Sequence, residues 1–160
     1  MTDRFISEWT REISQPFSST GSGGNKLRLY CTFKSDFSVE TYVERPTPRS
    51  HRRALAHFRC GVAPIRIETG RYDGTILSER VCSYCKDEIE DECHVLLKCP
   101  LYENERSVLL SKCHVECDNF THFNDAQKLA YILSSPNICF IAAKTCHFIL
   151  SKRKSTVHNS

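Results

Sequence analysis

No acidic residue follows Asp125, and no apolar run in the chain is long. Each lack excludes something. The most apolar stretch, ICFIAAKTCHFIL from Ile138, spans about thirteen residues with Lys144 in its middle, whereas a bilayer span needs roughly 20 apolar residues. No membrane partner is therefore expected. The opening MTDRFISEWTREISQPF scatters charge and lacks an apolar core, so no secretory leader is expected. An intracellular location, nuclear or cytoplasmic, follows as the expectation, and in that reducing setting clustered cysteines read as metal ligands before disulfides. There are no internal repeats. There is also no surplus of core: 160 residues with a 40% hydrophobic share and a mean hydropathy of −0.40 suit one domain with a modest interior, the kind of chain that needs a staple.

The net charge of +3 is mild and by itself says only that the chain stays dissolved. Its distribution says more. Between residues 44 and 80, Arg45, Arg49, Arg52, Arg53, Arg59, Arg66, Arg71 and Arg80 outnumber Glu44, Glu68, Asp73 and Glu79, and the acid-free end carries Lys128, Lys144, Lys152, Arg153 and Lys154.

Local patterns predict a mainly helical chain. FISEWTREIS (5–14) puts Phe5, Ile6, Trp9 and Ile13 on one side of a short helix. SSTGSGGN (18–25) is a flexible break. KLRLYCTF (26–33) fits a strand or a helix, with helix preferred for want of a partner strand. RPTPRS (45–50) cannot be regular structure. Ser50 is expected to cap a helix through HRRALAHFRC, with Ala54, Leu55 and Phe58 inward and Gly61 as its stop. APIRIETGRYDGTILSER reads as an irregular loop with turns at TG and DG. Pro100 suits the first turn of a helix through Cys113, with Leu101, Val108 and Leu109 sharing a face. Asn124 or Asp125 caps the next, with Ala126, Leu129, Ala130 and Leu133 aligned. SSPN then turns the chain into a last helix from Ile138 to about Lys152. The expected division is an N-terminal arm, loosely structured, over 1–45 and a helical domain over 46–155.

VCSYCKDEIEDECHVLLKCP carries the chemistry. Cys82, Cys85, His94 and Cys99 are spaced C-x2-C-x8-H-x4-C, a knuckle over residues 82–99. Two residues between cysteines let both sulfurs converge on one ion, and three soft thiolates with one imidazole suit zinc. Cys93 adjoins His94 and could ligate in its place, but only one of the two can face the metal; the spacing is read with His94. Four protein ligands fill a tetrahedron and leave no position for a reacting water, so the expected ion is a single structural Zn2+. Cys113, His114, Cys117 and His122 are weaker candidates for a second site, because C-x3-C lacks the tight turn. Cys31, Cys60, Cys139 and Cys146 read as buried apolar side chains.

HRRALAHFRCGVAPIRIETGRY followed by ERVCSYCKDEIEDECHVLLKCPLYENER resembles the C-terminal zinc-binding region of LINE-type, non-LTR retrotransposon reverse transcriptases. The positions that carry the likeness are Arg52, Leu55, Arg59, Gly61, Cys82, Cys85, His94, Cys99, Pro100, Tyr102 and Arg106. It extends from about residue 51 to 107, less closely to Lys154, and only loosely over the first 45. What the resemblance implies is a nucleic-acid-associated module, without the enzyme. No Phe/Tyr-x-Asp-Asp stretch supplies paired aspartates for two magnesium ions, and no Pro-Asp…Asp/Glu-x-Lys arrangement marks a nuclease.

Two functions follow as expectations. In the first, Arg49, Arg52, Arg53, Arg59, Arg66 and Arg71 contact RNA or single-stranded DNA beside the knuckle, with Tyr72, Tyr84 and Tyr102 available for stacking. The acidic loop of Asp87, Glu88, Glu90, Asp91 and Glu92 opposes phosphate contact at the knuckle itself. In the second, the zinc-held scaffold meets a protein partner. Neither involves a small-molecule substrate.

Overall fold

The computed structural model describes residues 2–13, 27, 29–44 and 46–158. Its architecture is mainly α, as the patterns predict. The helices are α1 (Thr2–Ile13), α2 (Tyr30–Phe33), α3 (Thr41–Glu44), α4 (Arg49–Arg59), α5 (Arg66–Tyr72), α6 (Glu103–Glu116), α7 (Asp125–Ser134) and α8 (Cys139–His158). Among the described residues there is no strand, only an antiparallel bridge between Val81 and Ile89. The Ser/Gly segment at 18–25 lies outside the described residues.

Helix α8 is the spine. It buries Cys139, Ala142, Ala143, Cys146 and Ile149 along one stripe at three- and four-residue steps. Helices α4, α6 and α7 pack around it, contributing Leu55 and Phe58, Leu109 and Cys113, and Leu129, Ile132 and Leu133 to one continuous core. Each fully buried Leu, Ile or Phe stabilises the fold by about 1.5–3 kcal/mol. The two small residues Ala142 and Ala143 allow neighbouring backbones close to the spine. No single helix among the described residues is long and apolar enough to cross a membrane.

Several helix ends form as the sequence dictates. Gly61 has φ 65° and terminates α4, a conformation glycine adopts without steric cost. Asn124 caps α7 through a reciprocal box with Gln127. The start of α4 differs: it begins at Arg49, after Pro48, so Ser50 sits exposed inside the first turn and makes no cap. The fixed φ of Pro48 sets the chain direction that Ser50 was expected to set.

Two further expectations, on local structure, are corrected. TG is not a turn. Helix α5 runs through Thr69 and Gly70, and the chain turns only at Asp73–Gly74, where Gly74 has φ 74°. Gly70 is there for space: a Cβ on it would lie 2.7 Å from Cγ and 2.8 Å from Cδ of Arg80, whose stem crosses the helix. The buried face of α6 is also different. Tyr102, Arg106, Leu109 and Cys113 point inward while Val108 is 63% exposed, because a 3-10 turn at Pro100–Tyr102 advances the phase before the α-helix begins.

The segment 29–44 docks onto the domain, with Leu29, Phe33 and Tyr42 against the core. Arg59 pins it. Its guanidinium donates to the Leu133 carbonyl and to Glu40 Oε2 (2.6 Å), and stands 4.7 Å from the centre of the Phe33 ring and 5.3 Å from that of Tyr42. Of the cysteines expected to be buried, Cys139 and Cys146 are, Cys60 is half-buried, and Cys31 is exposed because α2 is a single turn with no buried residue.

Candidate metal centre

The site is built from two short segments. In the first, Cys82 opens a tight turn: the Lys86 amide donates to the Cys82 carbonyl (3.0 Å) and the Cys82 amide to the Glu88 carbonyl (2.9 Å). Lys86 takes up φ 59°, the left-handed conformation that closes such a turn and that few residues other than glycine adopt cheaply. In the second, Asp91 Oδ1 accepts from the His94 amide (2.7 Å) and starts a π-helical turn, His94–Lys98. That turn carries His94 and presents Cys99 at its end, while Val95 and Leu96 anchor it in the core.

The four donor atoms lie within 4.8 Å of one another. Cys82 Sγ and Cys99 Sγ are 3.8 Å apart, and Cys85 Sγ is 3.3 Å from His94 Nε2. A tetrahedral ion with Zn–S of about 2.3 Å and Zn–N of about 2.0 Å would set sulfurs about 3.8 Å apart and sulfur to nitrogen about 3.5 Å. The arrangement fits: the cluster could hold one metal ion, and its donor set is consistent with zinc. Three of the four side chains are buried, with Cys85 partly open.

The surroundings favour thiolates facing a cation. Burial pushes the Cys99 thiol up to about 12, against the pull of the Leu101 amide on its sulfur. Burial likewise raises Cys82, while the amides of Tyr84 and Cys85 point at its sulfur and oppose the rise. Without a cation these sulfurs keep their protons; the aimed amides suit the charged form. Behind His94, Nδ1 faces Glu88 Oε2 at 3.4 Å, so the ring can present Nε2 to a metal while a carboxylate orients it. Lys98 also pairs with Glu88 (3.3 Å). Cys93 is excluded from the cluster and packs beside the core; burial, with Asp91 and Asp125 nearby, pushes its thiol up to about 11. Of the two adjacent candidates, His94 is the one brought to the other ligands.

The centre is tied to the helices by charged side chains. Glu90, buried, accepts two bonds from Arg153 of α8 (2.9 and 2.7 Å) and one from the Arg66 amide at the start of α5 (2.7 Å). Arg106 of α6 donates to the carbonyls of Lys98 and Cys99, which end the π turn. Arg80 donates to the carbonyls of Thr75 and Ile67, 2.9 Å each. Sequence reading had not singled out Glu90, Arg153 or Arg80 for these roles.

The arginines expected on a nucleic-acid surface divide. Arg49 and Arg53 are exposed, and Arg52, partly exposed, reaches the Val43 carbonyl at 3.4 Å. Arg66 is paired with Asp73 (2.8 Å), and Arg71 with Glu68 (3.2 Å). Arg59 is 4% exposed and cannot reach a phosphate. Its spacing from Leu55 and Phe58 was the available signal, since all three share the inward face of α4. Tyr72 and Tyr84 are exposed, but Tyr102 is fully buried and cannot stack on a base. In the acidic loop Glu90 and Glu92 are buried, which leaves less negative charge facing solvent than the sequence suggests. Cys113 is buried in the core, whereas His114 and His122 are exposed.

Comparison with protein-family models, with curated proteins and with solved structures found no match.

Proposed function

We propose that this chain is a non-catalytic module, stabilised by one zinc ion on Cys82, Cys85, His94 and Cys99, that associates with RNA or single-stranded DNA. The convergence of three sulfurs and one imidazole nitrogen to zinc-like separations is the observation that carries it. Four protein donors complete a tetrahedron, so the ion would supply folding free energy in place of the interior the composition lacks. The nucleic-acid half is supported by Arg49, Arg52 and Arg53, which none of the carboxylates among the described residues neutralises. It is supported too by the likeness of the C-x2-C-x8-H-x4-C-P stretch to retrotransposon reverse-transcriptase tails, a likeness that rests on the quoted residues.

A second reading, a zinc-held scaffold for a protein partner, is favoured by one observation. Tyr72, Ile76, Leu77, Val81 and Tyr84 are all exposed along the segment that leads into the knuckle.

Metal analysis of protein purified without chelator should find about one zinc per chain. Fluorescent single-stranded RNA and DNA titrated at two salt concentrations should then bind with steep salt dependence, weakened in Arg49→Ala/Arg52→Ala/Arg53→Ala. Metal-free protein that melts as the purified protein does would refute the zinc half. Micromolar protein with no signal at low salt would refute the nucleic-acid half and leave the scaffold.

A further inference from the structure

The two helices that border a cleft of about 480 Å³ contain no carboxylate. Helix α4, RSHRRALAHFR, carries four arginines; α8, CFIAAKTCHFILSKRKSTVH, carries Lys144, Lys152, Arg153 and Lys154. They pack directly against each other. Between them lies a groove of about 480 Å³, within the range of ligand sites in general. It is lined by Arg53, His57, His147, Arg153 and Lys154 together with the apolar Ala54, Pro64 and Leu150, and no Asp or Glu lines it.

The charges around it are not equally engaged. Arg153 is held from behind by Glu90, and Lys152 by Glu105 at 2.8 Å. Arg53 and Lys154 are exposed and make no ion pair among the described residues. Burial and Arg53 hold His57 below its ordinary value, and burial, His147 and Lys144 do the same to His51, whose ring centre lies 4.8 Å from that of His147. A concave, carboxylate-free site of this kind stabilises anions.

We infer that the groove between α4 and α8 seats a single strand of nucleic acid, with phosphates on Arg53 and Lys154 and a base against Ala54, Pro64 and Leu150. The inference rests on the nucleic-acid reading above and gives it a place. A strand is favoured over a compact anion because the lining combines cationic with apolar side chains, which suit phosphates and bases together. Moreover, Arg49, Arg52 and Lys144 continue the positive surface along both helices beyond the groove. Arg153 sits both on the groove wall and on the knuckle's Glu90, so the groove keeps its shape only while the metal segment is folded.

The test uses the full chain loaded with zinc. Oligo(U) and oligo(dT) are titrated against wild type, Arg53→Ala/Lys154→Ala, Ser151→Asp and Arg49→Ala/Arg52→Ala, while the His57 and His147 ring proton signals are followed by NMR. All substituted positions except Arg52 are exposed, and unchanged amide spectra will show that each variant is folded. Removing two phosphate contacts from a single strand should lower the slope of log affinity against log salt by about 1.4. Affinity should fall about tenfold or more in Arg53→Ala/Lys154→Ala and in Ser151→Asp, with His57 and His147 shifting on binding to wild type. If binding is kept in those two variants and lost in Arg49→Ala/Arg52→Ala, the groove is wrong and the nucleic-acid reading stands. Should wild type bind neither oligonucleotide, both fall. A parallel titration with pyrophosphate separates the sources of phosphate: occupancy as tight as that of the oligonucleotides would overturn the strand in favour of a small anion.

Discussion

Glu90, in the knuckle, and Arg153, near the end of α8, form a bidentate ion pair across 63 residues of sequence, with side chains 4% and 14% exposed. Removing one member of such a pair strands the other charge in a desolvated site and costs about 3–5 kcal/mol. Glu90→Ala and Arg153→Ala should each lower the melting temperature by roughly 10 °C, since about 1 kcal/mol shifts a domain of this size by 2–4 °C. The double variant should lose much less than the sum of the two, as a thermodynamic cycle measures. Additive losses would show that the two side chains act independently.

Glu88 should tune the metal without building the site. Its carboxylate faces His94 Nδ1 from an exposed position, so Glu88→Gln should keep the fold and reduce metal affinity about 10-fold or more. Competition against a chromophoric chelator measures this. Cys99→Ser, which removes a fully buried ligand, should abolish stoichiometric binding and cooperative melting together.

Gly70→Ala should destabilise the protein by about 1–3 kcal/mol, a typical cost of overpacking. The Arg80 stem cannot swing away cheaply, because its head is bound to the carbonyls of Thr75 and Ile67. Urea denaturation reads the loss directly. Arg80→Ala/Gly70→Ala should recover none of those carbonyl bonds yet remove the clash, so its loss should be smaller than the sum of the single variants.

Acid should weaken the α4–α8 contact. Burial, His147 and Lys144 depress His51, and burial and Arg53 depress His57, below the unfolded value of 6.5. A base depressed in the folded state binds fewer protons there than when unfolded. Its contribution is therefore fully present above about pH 7.5 and lost as pH falls through the unfolded value toward the folded one. Melting temperatures of the zinc-loaded protein should fall from about pH 7.5 to 5.5, and His51→Gln/His57→Gln should flatten that fall. An unchanged slope in the variant would assign the pH dependence elsewhere.

The centre was legible in the sequence because its spacing is a local constraint: two residues between cysteines and four between His94 and Cys99 leave little choice of geometry. Capping by Asn124 and termination at Gly61 were legible for the same reason. What sequence did not reveal depends on distant partners. Arg59 looks like one more arginine of a basic helix until Phe33, Tyr42 and Glu40 arrive from the preceding segment to enclose it. Gly70 looks like a turn until Arg80 crosses it, and Val108 looks like core until a 3-10 turn rotates α6. Periodicity counts residues from an assumed start, so a change of helix type just before α6 moves every later side chain.

The pairing of Glu90 with Arg153 also orders events during synthesis. The four candidate ligands fall within eighteen residues, 82 to 99, and are all made before α8 begins at Cys139. The buried carboxylate then waits for its guanidinium until the last helix is made. A chain cut short before Arg153 would therefore keep the Glu90 carboxylate without the guanidinium that encloses it, a buried charge left uncompensated.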